Sequence, residues 1–140
     1  MNTPLRLQMA ARINASSYEV FDRIVEYGAF PHLYAAVETV RAELRSTFYD
    51  FGDGLTLTEQ IMEWEPPYRY VVKAYDFPGM PTEHVAVVTI EAVGEDTCCL
   101  CWEHYFEHPE PELATEQVYF SVCACIHDLL AIYGGNILES

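Results

Sequence analysis

The stretch HVAVVTIEAVGEDTCCLCWEHYFE (residues 84–107), followed by LATEQVYFSVCACIHDLLAIY (residues 113–133), decides the fold. The first part alternates with period two. Ala86, Val88 and Ile90 fall on one face against Thr89 and Glu91, and Leu100, Trp102 and Phe106 repeat the pattern after Gly94-Glu95-Asp96. Such alternation about a turn predicts a hairpin of two half-buried strands over 84–92 and 97–107. The second part changes period. It holds no Gly or Pro, and Val122, Ile126, Leu129 and Tyr133 recur at helical spacing until Gly134-Gly135 stops it. Hairpin-linked strands that run into a long, segregated helix point to an α+β fold, not to a doubly wound parallel sheet.

Upstream, the same period governs 37–75. Val40, Ala42 and Leu44 oppose Arg41, Glu43 and Arg45, and 47–51 continues extended. Gly52-Asp53-Gly54 supplies the turn into Leu55–Trp64, and Pro66-Pro67 blocks further pairing before Arg69–Tyr75. At the start, Leu7, Met9, Ala11 and Ile13 alternate with Arg6, Gln8 and Arg12, which predicts a strand over 5–13. Ser16-Ser17-Tyr18-Glu19 has capping-box spacing, Phe21, Ile24 and Val25 form a helical stripe, and Gly28 ends it. Phe30-Pro31-His32-Leu33-Tyr34 suits a second, very short helix with Pro31 in its first turn. The expected order is one strand, two short helices, about six more strands and one long helix. No linker, low-complexity segment or repeat interrupts it, so residues 1–140 read as a single domain with a core over about 5–133.

Composition excludes several classes. Twenty-two acidic residues against seven basic ones give a formal charge of −15, which repels nucleic-acid backbones and anionic lipid surfaces. No stretch approaches the roughly 20 apolar residues of a membrane helix, and the first residues lack the pattern of a secretion signal. Cytoplasmic residence without membrane insertion is expected. Five cysteines, an odd number, argue against a disulfide framework, and the sequon Asn14-Ala15-Ser16 carries no weight in that setting.

The order and spacing of these pieces resemble the START-like (SRPBCC) superfamily of polyketide cyclases/dehydrases and lipid-transport proteins, with its helix-grip fold. Ile13 to Phe21 resembles that family's approach to its first helix. Leu57 to Tyr70, with Pro66-Pro67 inside it, resembles the central strand, double-proline turn and next strand. Thr97 to Trp102 and Phe106 resemble its last strand. Two departures stand out: Phe30 occupies a position where members often carry tryptophan, and the connection at Arg45-Ser46 is short. The resemblance implies a curved antiparallel sheet of six or seven strands wrapped around the C-terminal helix, with an apolar cavity between them.

Parity nominates the lining of that cavity independently. Glu59 shares a face with Leu55, Leu57 and Ile61; His84 shares one with Ala86, Val88 and Ile90; His104 shares one with Leu100, Trp102 and Phe106. Burial raises the pKa of a carboxylate and lowers that of an imidazole, so these three groups suit proton transfer or hydrogen bonding to a ligand. If the last two predicted strands pair, the histidines lie opposite each other or one pair apart. Trp102, Tyr70 and Tyr34 join the candidate ligand-binding set as cavity aromatics, with plain core packing as the alternative for each.

The dense run Cys98-Cys99-x-Cys101-x-x-His104 does not make a metal site. On a strand, Cys99 and Cys101 face away from Cys98 and His104, and Cys123 and Cys125 diverge around a helix. Four convergent ligands are lacking, so no metal and no cofactor is expected, and the thiols read as small hydrophobes. His127-Asp128 reads as a solvated pair. No serine-nucleophile elbow, phosphate-cradling loop or zinc-protease motif is present. Function on this fold then divides. A binding module would hold a hydrophobic or aromatic, lipid- or polyketide-like small molecule, with Glu59, His84 and His104 fixing its polar end. A cyclase/aromatase-type enzyme would use Glu59 and His104 as acid–base groups, although Arg41 and Arg45 are expected outward and Arg69 near a turn, where relatives often use an inward arginine. A protein-interaction regulator has no supporting motif, and homodimerisation stays open.

Overall fold

In a computed structural model the backbone is described for residues 3–27, 39–43, 46–52, 55–75 and 84–138, and side chains for 3–25, 58–74 and 84–138. The elements are β1 (Leu5–Ile13), α1 (Ser17–Tyr27), β2 (Thr39–Glu43), β3 (Ser46–Gly52), β4 (Leu55–Glu65), β5 (Arg69–Tyr75), β6 (His84–Gly94), β7 (Thr97–Tyr105), α2 (Pro111–Tyr133) and β8 (Gly135–Leu138). The strands form one antiparallel sheet in the order β2-β3-β4-β5-β6-β7-β1-β8. A meander from β2 to β7 thus closes back on β1, and α2 packs against β1 across the inner face. This is the α+β helix-grip arrangement.

Local chemistry sets the helix ends. Glu19 donates its backbone N–H to Ser16 Oγ at 3.2 Å, capping α1 as the spacing predicts. Val20, Phe21 and Ile24 are then buried on one side of that helix. The long helix buries Val118, Val122, Cys125, Ile126 and Leu129, a stripe at three- and four-residue steps. Burying one such aliphatic side chain contributes about 1.5–3 kcal/mol, so the stripe rather than the weak N-terminal cap holds α2 in place. None of the helices among the described residues is long and apolar enough to cross a membrane.

Where the structure adds to the sequence pattern, a backbone irregularity is the reason. An eighth strand follows the helix directly, because Gly134 and Gly135 adopt φ of 84° and 134° and reverse the chain within two residues. Gly134 donates to the Leu130 carbonyl at 2.8 Å, and its own carbonyl accepts from the Asn14 N–H at 2.9 Å. A Cβ on Gly135 would collide with the Arg12 carbonyl oxygen. The last hairpin is tighter than expected: β6 runs on to Gly94 past a bulge, leaving Glu95-Asp96 as the turn. A second bulge between Ile61 and Glu63 switches parity in β4, so Trp64 sits opposite Tyr70. The short connection expected near Arg45 is confirmed by the pairing of Glu43 with Ser46. The second short helix anticipated over 30–34, the turn residues Asp53 and Gly54, and the side chains of Arg41 and Arg45 lie outside the described residues.

Gly135 and Gly94 therefore make a matched test. Gly135→Ala is expected to destabilise the protein by at least about 2 kcal/mol in urea unfolding, through strain and collision with β1. Gly94→Ala meets nothing within 4 Å and is expected to stay within about 0.5 kcal/mol of the parent.

Candidate functional site

Three transverse rows of inward side chains cross the middle of the sheet. Glu59, Ala74 and His84 form one; Ile61, Val72, Ala86, His104 and Leu7 form the next; Tyr70, Val88, Trp102 and Met9 form the third, with Trp64 at its rim 44% exposed. β7 carries regular alternation throughout, with Cys98, Leu100, Trp102 and His104 buried and the residues between them half-buried. No bulge intervenes between Cys98 and Tyr105 in its pairing with β6, so His104 keeps the inward side.

Glu59, His84 and His104 are all buried, and His104 is fully so. The histidines sit one pair apart diagonally, since His104 pairs directly with Ala86. The small Ala86 side chain leaves the room in which their rings meet, and His84 Nε2 lies 2.8 Å from His104 Nδ1. A contact of that length holds one proton between the rings. If His84 donates, His84 Nδ1 is left as an acceptor and His104 Nε2 carries the second proton. If His104 donates, the roles exchange. In the neutral pair one outer nitrogen is therefore a donor and the other an acceptor, and a second proton on the bridge would break the contact. Phe106 backs His84 with ring centroids 4.6 Å apart, and Trp102 lies nearly parallel to His104, at 17° and 6.3 Å.

Trp102 supplies the least expected feature. Its ring is fully buried, yet Nε1 has no hydrogen-bond partner among the described residues. An unmade bond to a buried donor costs about 1–3 kcal/mol. Burying 150–250 Å² of indole at about 25 cal/mol per Å² contributes about 4–6 kcal/mol, so the ring stays in and its N–H is left to whatever polar atom can reach it.

Of the other anticipated residues, Tyr70 is buried in an aromatic cluster, edge-on to Phe21 at 5.4 Å and tilted against Trp64 at 5.9 Å. Phe21 and Trp64 also meet, at 5.2 Å. Sequence parity missed Trp64 because it ignored the bulge; counting outward from Pro67 pairs Trp64 with Tyr70 and would have found it. Tyr34 lies outside the described residues. Arg69 faces outward, donating to Glu63 Oε2 at 3.2 Å and to Thr89 Oγ1 at 3.4 Å. His127 and Asp128 are exposed. Cys98 is inward while Cys99 and Cys101 are on the other face, and no three metal-capable side chains are grouped among the described residues.

The sequence matches no protein-family model and none of the curated proteins. Solved structures do match. A START superfamily protein from Mycobacterium smegmatis superposes with a TM-score of 0.65 at 12% identity, over 91% of this chain and 94% of that one. An HSP90 activator from Plasmodium falciparum gives 0.64 at 13% identity, over 96% and 100%. DynU16, a putative protein in the dynemicin biosynthetic locus, gives 0.59 at 18% identity, over 89% of this chain and 46% of that one. The chain has the START-like helix-grip fold.

Burial pushes the Cys98 and Cys125 thiols up to about 11 from their ordinary value of 9.0, the neighbouring Cys99 adding to the effect at Cys98. Their folded values lie above their unfolded ones, so the stability tied to them is complete below pH 9 and is lost as pH rises through 11. Urea midpoints are expected to fall across that window. Brief alkylation of the native protein at neutral pH, mapped by mass spectrometry, should leave these two cysteines unmodified.

Proposed function

We propose that the protein binds a hydrophobic or aromatic small molecule, lipid- or polyketide-like, between the sheet and α2. The observation that carries this reading is the unpartnered Trp102 N–H beside the His84–His104 pair on an otherwise apolar face. A buried donor of this kind calls for an acceptor that the described residues do not supply. A carbonyl or hydroxyl oxygen at the polar end of an apolar molecule fits it, with His84, His104 and Glu59 on the same inner face around it. The START superfamily protein and DynU16 share the fold and are compatible with this reading.

A second reading rests on the pair itself. A donor and an acceptor joined through one bridging proton can give a proton at one end and take one at the other. Applied to a poly-β-ketone, that chemistry would enolise and dehydrate the folded chain, as in a cyclase/aromatase. Glu59 and His104 would be the acid–base groups.

Native mass spectrometry of freshly purified protein is expected to show a co-purified apolar molecule, lost from a His84→Leu/His104→Leu variant that keeps its unfolding midpoint. An empty protein that also takes up no fatty acid or aromatic ketone at millimolar concentration overturns the binding reading. Turnover of a poly-β-ketone abolished by both His104→Ala and Glu59→Gln, with folding intact, would establish the catalytic one; full activity in both variants would refute it.

A further inference from the structure

The charges within reach of a buried polar atom decide which ligand end it can hold. Trp102, His84 and His104 are buried on β7 and β6, and α2 packs against the neighbouring β1. None of β6, β7 and α2 holds a lysine or arginine, because none follows Lys73 in the chain. All seven basic residues therefore belong to β1, α1 and the strands from β2 to β5 or their connections.

Their positions keep them off the inner face. Lys73 pairs with Gln60 and Val85, one position off the buried Val72 and Ala74. Arg69 is held on the outer face by Glu63 and Thr89. Arg12 is exposed between the buried Ala11 and Ile13. Arg6 donates its Nε to the Phe106 carbonyl at 3.0 Å and lines a hollow together with Glu112 and Glu116. Arg23 is half-buried on α1, off the stripe of Val20, Phe21 and Ile24. Arg41 pairs with Phe48, which pairs with Thr58, one position off Glu59. Arg45 lies outside the described residues. Among those that are described, the inner face thus holds no lysine or arginine, whereas it does hold the carboxyl group of buried Glu59.

We infer that this site selects a ligand whose polar end is uncharged, a ketone, ester or alcohol, and rejects carboxylates, phosphates and ammonium groups. The inference rests on the binding reading above and narrows its ligand to one chemical class. An anion carried onto this face would be buried without a cationic partner, which costs more than a single hydrogen bond returns. The Trp102 N–H is a neutral donor, and the His84–His104 pair, joined by one shared proton, is uncharged as well. An ammonium group has donors only, so it would leave the Trp102 N–H unmet. A ketone oxygen accepts that bond and brings no charge with it.

The test compares 2-acetylnaphthalene, 2-naphthoate and 1-(2-naphthyl)ethylammonium, which share one ring system, by calorimetric titration of the whole chain at pH 8. That pH lies above the ordinary imidazole value of about 6.5. The ketone is expected to bind at least about tenfold more tightly than either ion. It should also shift the Trp102 indole N–H resonance, assigned by its loss in Trp102→Phe, at a concentration where neither ion does. Equal or tighter binding of the naphthoate or the ammonium overturns this inference and leaves the cavity reading standing, as does a co-purified fatty acid or phospholipid. If none of the three binds at millimolar concentration and nothing co-purifies, the cavity reading falls and this inference falls with it.

Discussion

The unbroken ladder between β6 and β7 governs what the inner face contains. From Val85 opposite Tyr105 to Ala92 opposite Cys98, each residue meets its partner without a shift. Side chains alternate with a period of two, so a slip of one residue would turn Cys98, Leu100, Trp102 and His104 to solvent together. The cost of exposing a tryptophan and its neighbours is far larger than any gain from freeing one imidazole. Two polar rings are therefore carried into the core by the apolar side chains beside them, and they meet because Ala86 is too small to keep them apart.

β1 stands next in the hierarchy of constraints. It pairs with β7 on one side and β8 on the other, and it carries α2 above its inner face. The reversal at Gly134-Gly135 brings β8 against Ala10 to Ile13 of β1. One geometric fact, that only glycine fits beside the Arg12 carbonyl, thus shapes both the end of the helix and the extent of the sheet.

Polar groups inside this core have different standing. The His84–His104 contact satisfies one nitrogen on each ring by the other. The Trp102 N–H is held in place by the burial of its own ring and meets no acceptor among the described residues. The burial of the indole ring outweighs the cost of that unmade bond, so the donor is kept inside the apolar face.

Much of this was legible from residue order. Alternation placed Glu59, His84 and His104 inward, capping spacing located α1, and the Gly- and Pro-free run over 113–133 located α2, because period and turn chemistry are local properties. The same reasoning separated Cys98 from Cys99 and Cys101. It did not find β8 or the pairing of Trp64 with Tyr70. A bulge shifts parity without a mark in composition, and a short strand after Gly134-Gly135 is fixed only by the neighbour it pairs with. The 2.8 Å approach of the two histidines likewise needed the register of β6 on β7. Sequence determined which faces are apolar and which polar groups lie on them; tertiary structure decided which of those groups touch, since pairing between strands is a long-range choice that no local period encodes.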